Sequence, residues 1–155
     1  INTAYRAGEL LSLRIEQVAG LKAGDRLEIK QSKNRKYRAV TLNNVTVEDI
    51  QQWLSVHPLN SIKSSPLFLS HVGCQSIGVS PLNNLIKKWC FEAGLVGNFG
   101  THTLRKTWGY HQRITHGASV ALLMNAFGHA SEAQTLDYLG IQAPEIQELY
   151  TGMEL

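Results

Sequence analysis

A histidine stands nine residues before a tyrosine in Gly128-His129-Ala130-Ser131-Glu132-Ala133-Gln134-Thr135-Leu136-Asp137-Tyr138, and another lies three before an arginine in His102-Thr103-Leu104-Arg105. Residues three apart share a helix face, so His102 and Arg105 can reach one ligand. A tyrosine hydroxyl attacks once a base takes its proton, and imidazole exchanges protons near neutral pH. A guanidinium donates paired hydrogen bonds to phosphoryl oxygens. Arg6 supplies a second guanidinium, with Glu9 one turn away to orient it. These types suit attack of Tyr138 on a phosphodiester. Such a bond repels nucleophiles and has a poor alkoxide leaving group, so its cleavage needs cations, a positioned nucleophile and an acid. Taken singly, each residue has a plain structural reading: a surface hydrogen bond for the His-x-x-Arg pair, a solvated helix position for Arg6, a core ring for Tyr138, and for His129 a cation near a helix C-terminus.

Several elements must position these groups. Asn2 to Arg14 carries Leu10, Leu11 and Leu13 at helical spacing and reads as a helix. Leu27-Glu28-Ile29 and Tyr37 to Leu42 alternate at period two around polar Gln31 to Lys36, which predicts an antiparallel hairpin with Lys33 at its tip. Thr46 followed by Asp49 marks the cap of a helix through Trp53 and Leu54 that stops before Pro58, and Asn60 to Ser65 reads as a loop. Pro66 to Leu69 suggests a short edge strand. Ser80-Pro81 opens a helix to Ala93, with Gly94 just past its end and Leu82, Leu85, Ile86, Trp89 and Cys90 forming one apolar stripe. Trp89 is expected in the core. Thr101 caps the helix bearing His102 and Arg105, Ala118 to Phe127 is apolar enough for a buried helix, Ser131 with Gln134 makes a capping box before Tyr138, and Pro144 to Tyr150 forms a last short helix.

The 155 residues suit one domain with a real core, and 43% hydrophobic content is ordinary for a globular protein. Cys74 and Cys90 are too few for a disulfide framework and lack metal-ligand spacing, which points to a reduced, intracellular protein. No signal segment or membrane span is legible. The net charge of +3 hides an asymmetry: residues 1–113 hold all 15 Lys and Arg against 7 acids, whereas residues 114–155 hold five acids and no Lys or Arg. Basic charge is densest from Arg26 to Arg38, where six cations face Glu28 alone, so a polyanion is expected there. By itself that stretch suits a solvated hairpin with lysines guarding a sheet edge better than it suits a polyanion site.

In order, Arg6, Lys33, His102, Arg105, His129 and Tyr138 resemble the catalytic set of the tyrosine recombinase, or phage integrase, family. The likeness covers nearly the whole chain. Thr3-Ala4-Tyr5-Arg6-Ala7-Gly8-Glu9-Leu10-Leu11-Ser12-Leu13 resembles the family's first-arginine motif, and Lys33-Asn34-Arg35-Lys36-Tyr37-Arg38-Ala39-Val40-Thr41-Leu42 its lysine hairpin. Thr101-His102-Thr103-Leu104-Arg105-Lys106-Thr107 resembles its His-x-x-Arg box, and the gap from His129 to Tyr138 its closing motif. Ala4 and Tyr5 depart from the residues often seen before the arginine, Thr41 replaces a frequent proline, and Asp137 puts a carboxylate beside the tyrosine.

The resemblance implies an α+β, mainly α fold: a helical bundle with a small antiparallel sheet. It implies that residues 1–155 are a catalytic domain, truncated at its N-terminus, with the core-binding domain that clamps DNA absent. Tyr138 would form a 3′-phosphotyrosyl intermediate for strand exchange in site-specific recombination or integration. Arg6 and Arg105 would bind the phosphoryl oxygens, Lys33 would protonate the departing 5′-oxygen, His102 would exchange the tyrosine proton, and His129 would donate to phosphate. Glu9 would support Arg6. Lys30, Arg35, Lys36, Arg38, Lys87, Lys88 and Lys106 would hold DNA by phosphate contacts, which position without specifying sequence. With cations supplied by protein, no metal, cofactor or ATP is expected. Implied partners are a double-stranded recombination site and further protomers in a tetrameric synapse, the isolated domain being monomeric and the acidic tail docking on protein. The setting would be the cytoplasm of a bacterium, with the gene bacterial or carried by a phage or mobile element. A type IB topoisomerase-like enzyme and a noncatalytic DNA-binding remnant of a prophage integrase are the alternatives.

Overall fold

The computed structural model describes residues 1–30, 37–140 and 142–152. The chain divides into two units, Asn2–His102 and, together with Ile1, Thr103–Leu155. The expected α+β, mainly α class holds: seven α-helices and a short 3-10 helix at Ile15–Gln17 accompany a two-stranded antiparallel sheet among the described residues.

In the first unit α1 spans only Ala7–Leu11, shorter than the expected Asn2 to Arg14. Ala4 adopts φ +49° and Arg6 is extended, so the chain cannot enter a helix before Ala7. The Glu9 carboxylate accepts from the Arg6 backbone N–H at 2.7 Å and closes that end. The hairpin forms as expected, with β1 (Arg26–Lys30) paired to β2 (Tyr37–Thr41) in the register Leu27 opposite Val40 and Ile29 opposite Arg38. Its tip, carrying Lys33, Arg35 and Lys36, lies outside the described residues. Leu27 and Ile29 pack into a core with Tyr5, Leu13, Val18, Leu42, Val47 and Leu67. Each such side chain contributes roughly 1.5–3 kcal/mol by leaving water.

Helix α2 (Asn44–Val56) is capped by Asn43, whose Oδ1 accepts from the Thr46 N–H at 2.9 Å and also from the Thr46 hydroxyl. The cap therefore lies three residues ahead of Thr46. In place of an edge strand at Pro66 to Leu69 there are two isolated bridges, Arg14 to Pro66 and Leu69 to Ser76. Trp53 Nε1 donates to the Leu67 carbonyl at 2.7 Å and secures this segment. Helix α3 (Val79–Glu92) starts from Gly78 rather than Ser80, and Gly94 ends it at φ +73°. Ile86 is its one buried residue, whereas Trp89 is 54% exposed, against the expectation of a core position.

Helix α4 (Thr101–Ile114) begins in the first unit and runs on into the second. Thr101 is its first residue, and the cap comes from Asn83 of α3, whose Oδ1 accepts from the Thr101 N–H at 3.0 Å. Gly100 makes that approach possible, because a β-carbon there would collide with the Asn83 amide. The second unit continues with α5 (Val120–Phe127), α6 (Glu132–Leu139) and α7 (Gln142–Thr151). Gly109 lets Phe127 and Leu139 close on α4: a β-carbon there would lie 2.8 Å from Leu139 Cδ2 and nearer still to Phe127. No helix among the described residues is long and apolar enough to cross a membrane.

Candidate active site

Residues 128–131, between α5 and α6, fix the first side chain. Gly128 takes φ +63°, a left-handed conformation that glycine adopts without strain, and ends α5. The Gly128 N–H reaches the Asn125 carbonyl at 3.1 Å and the His129 N–H the Met124 carbonyl at 3.0 Å, a Schellman pair that ties the His129 backbone to α5. Two residues later Ser131 caps α6, its hydroxyl accepting from the Gln134 N–H at 3.2 Å. Gln134 Oε1 accepts in return from Ala130 N–H at 2.9 Å, one residue earlier than a standard capping box. Both ends of the connection are thereby fixed. Tyr138 follows on the last turn of α6 before Gly140 ends it at φ +71°.

Around Phe127, which is fully buried, the groups converge. The His129 ring stacks on Phe127 at 5.1 Å and 27°, and Tyr138 meets His129 edge to face at 5.1 Å and 76°. Arg105 is 5% exposed, its Nη2 donating to the Phe127 carbonyl at 2.7 Å. Its guanidinium lies 4.7 Å from the Phe127 ring centre and 5.8 Å from that of Tyr138. Lys106 Nζ, on an exposed residue, stands 5.3 Å from the Tyr138 ring centre. Asp137 is exposed on the neighbouring position of α6. The arrangement joins a phenol, an imidazole and two cations, a combination suited to transferring a phosphoryl group to oxygen.

Thr135, absent from the sequence expectations, belongs to the same cluster. It is fully buried, with Oγ1 3.0 Å from His129 Nδ1 and 3.3 Å from the Ser131 carbonyl to which it donates. The four-residue step from Ser131 to Thr135, ahead of a tyrosine, was the available signal.

In the first unit Glu9 sits between two guanidinium groups. Its Oε1 accepts from Arg6 Nη1 at 3.0 Å and its Oε2 from Arg38 Nη1 at 3.3 Å. Burial alone would raise the Glu9 carboxyl, but the Arg6 hydrogen bonds and then the charges of Arg38 and Arg6 hold it below its ordinary value. Arg38, expected among the DNA-holding bases, instead turns inward: its side chain is 10% exposed, Nη2 donates to the Ala4 carbonyl at 3.0 Å, and the Tyr5 ring centre is 5.3 Å away. Burial lowers its affinity for its proton, partly offset by Glu9. Tyr5 donates to the Leu27 carbonyl at 2.6 Å, and burial pushes its hydroxyl up to about 12. The cause of Arg38's orientation is the register. It stands opposite core-facing Ile29, and directly opposed residues share a sheet face.

His102 is exposed on the first turn of α4, three residues before Arg105. Lys30, Lys87 and Lys88 are exposed, Lys30 beside the Tyr37 ring and Lys88 3.7 Å from Glu92. Lys33, Arg35 and Lys36 are outside the described residues. Among the described residues no cluster of three His, Cys, Asp or Glu side chains could hold a metal ion.

The sequence matches the profile of the phage integrase family over residues 1–144. The chain belongs to that family. Among its curated relatives are tyrosine recombinase XerC of Thermodesulfovibrio yellowstonii, 26% identical over 89% of this chain and 49% of the relative, and the probable integrase/recombinase YoeC of Bacillus subtilis, 28% identical over 97% and 78%. Solved structures with the same fold include XerA recombinase, at TM-score 0.72 and 24% identity, covering 97% of this chain and 53% of that one. A second is XerH site-specific recombinase bound to a palindromic difH substrate, at TM-score 0.72 and 27% identity, covering 96% and 42%. This family member spans about half the length of several curated relatives it matches.

Proposed function

We propose that the chain is the DNA-cleaving and rejoining part of a site-specific tyrosine recombinase. The observation that carries this is the cluster of Tyr138, His129 and Arg105 around Phe127, on a chain belonging to the phage integrase family. Tyr138 Oη attacks the phosphorus of a DNA phosphodiester, the bond to the 5′-oxygen breaks, and a 3′-phosphotyrosine retains the bond energy. Attack by a 5′-hydroxyl of another strand reverses the step and joins the new partner without ATP. Arg105 stabilises the charge of the five-coordinate transition state, and His129 donates to a phosphoryl oxygen. Arg6, oriented by Glu9, His102 as proton partner and Lys33 as acid for the leaving oxygen complete the set by resemblance, residue by residue. DNA is the partner in this reading, in keeping with a XerH relative whose structure holds its difH substrate. Exposed Lys30, Lys87, Lys88 and Lys106 bind its phosphates, while Arg38 serves Glu9 instead. Residues 1–155 act as one catalytic domain within a recombinase assembled from several protomers on its site.

The test is a suicide duplex nicked beside the scissile phosphate, incubated with this chain joined to the remainder of its recombinase. A covalent protein–DNA adduct is expected, mapping to Tyr138. Tyr138→Phe should remove the adduct while changing DNA affinity by no more than a few fold, because only the reacting oxygen is lost. Tyr150→Phe should change nothing. An adduct on another residue, or none with intact DNA binding, overturns the reading.

A further inference from the structure

The geometry points to Thr135 as a positioning residue that fixes which nitrogen of His129 keeps its proton. The inference rests on the proposed role of His129. A threonine hydroxyl has one proton to donate and two lone pairs to accept with. The Ser131 carbonyl can only accept, so its 3.3 Å contact with Thr135 Oγ1 commits the hydroxyl proton. The 3.0 Å contact with His129 Nδ1 is then satisfied only if Nδ1–H donates to Oγ1. Thr135 is fully buried, where an unmatched polar atom is costly, so both contacts bind the arrangement together.

The consequence falls on Nε2. With Nδ1 holding its proton, the neutral ring presents Nε2 as an acceptor, and the charged ring presents it as a donor. His129 therefore donates to a phosphoryl oxygen in its protonated form, and releases or gains its exchangeable proton at Nε2 alone. Phe127 stacked on the ring and the Schellman turn at its backbone keep the imidazole in the plane where Thr135 can select. Thr135 and Tyr138 lie three residues apart on α6, so one helix places the tyrosine and sets the histidine.

Nitrogen-15 spectra of the histidine rings in this chain, recorded without DNA at alkaline pH and assigned with His129→Gln, read the tautomer directly. The expected result is an Nδ1–H ring in the native chain, retained in Thr135→Ser and shifted toward Nε2–H in Thr135→Val, which keeps shape and removes the hydroxyl. An Nε2–H ring in the native chain overturns the inference even if Thr135→Val fails to fold, as does an unchanged tautomer in Thr135→Val. In the adduct assay Thr135→Val should be slower by about tenfold, the scale of one hydrogen bond, with Thr135→Ser within about threefold of native. Equal rates for native and Thr135→Val would also overturn it. Failure of Tyr138 to form an adduct would sink the functional reading and leave the spectral result standing, so the two are separable.

Discussion

Each unit turns an arginine inward, and different chemistry holds the two. Arg38 is gripped by the Glu9 carboxylate and the Ala4 carbonyl, Arg105 by the Phe127 carbonyl and the faces of Phe127 and Tyr138. A carboxylate orients a guanidinium through opposite charge as well as hydrogen bonds, whereas a carbonyl dipole and aromatic faces orient it through a dipole and the ring quadrupole. The first arrangement builds a scaffold under Arg6. The second fixes a guanidinium beside the tyrosine.

The largest effect should come from removing the guanidinium beside the tyrosine. Arg105→Ala is expected to slow adduct formation on the nicked duplex by at least about a hundredfold, and Arg105→Lys to recover only part of the loss, since an ammonium lacks the planar fork. Full recovery by lysine would mean that charge alone matters and the geometry of the grip does not.

Next comes the carboxylate. Glu9→Gln should cost about 2 kcal/mol in denaturant unfolding at neutral pH, because charge-assisted hydrogen bonds to Arg6 and Arg38 weaken. Glu9 titrates below its ordinary 4.5 in the folded chain, so its contribution is present above that value and is lost as pH falls through the lower folded one. The gap between native and Glu9→Gln should therefore close in acid, with hydrogen exchange rising in α1 and the hairpin before α5 and α6. A gap that stays constant on acidification would show that Glu9 acts by shape. At the alkaline end, Tyr5 at about 12 adds stability that is complete below the ordinary tyrosine value of 10.0 and lost as pH rises through 12.

The smallest effect should be Gly109→Ala, about 1.5 kcal/mol from forcing α4 away from Phe127 and Leu139. Exchange should rise in α5 and α6 while the hairpin core is unchanged. Unchanged exchange in α5 and α6 would show that the close approach at Gly109 adds no stability.

Much of this was legible in sequence because it is local. The period-two runs gave the hairpin, and Ser131 with Gln134 marked the start of α6 through side chains that reach backbone groups within one turn. Where the readings failed, long-range or crowded choices decided. Asn43 outcompeted Thr46 as cap although both are suitable residues, and Asn83, distant in sequence, capped α4. Trp89 sits on an apolar stripe yet stays exposed, since periodicity says which residues share a face and not what covers it. Arg38 was recoverable: with Val40 facing the core, alternation puts Arg38 on the same side. Of the expected site residues, Tyr138, His129 and Arg105 come together in one unit, and Glu9 meets Arg6 in the other. The Thr135 contact required knowing that the turn after Gly128 folds back.

That turn makes the interval from His129 to Tyr138 a ruler. The backbone of His129 is fastened to α5, its ring to Thr135 on α6, and the tyrosine stands one turn beyond on the same helix. One residue inserted between Thr135 and Tyr138 would swing the phenol about 100° around the helix axis, and one deleted would swing it as far the other way. Conservative exchanges of side chains can be absorbed here by repacking, but changes of length cannot. Chains that diverge from this one while keeping its chemistry should thus vary in letters at the positions between residues 130 and 137 that neither cap α6 nor meet His129, and hardly at all in count.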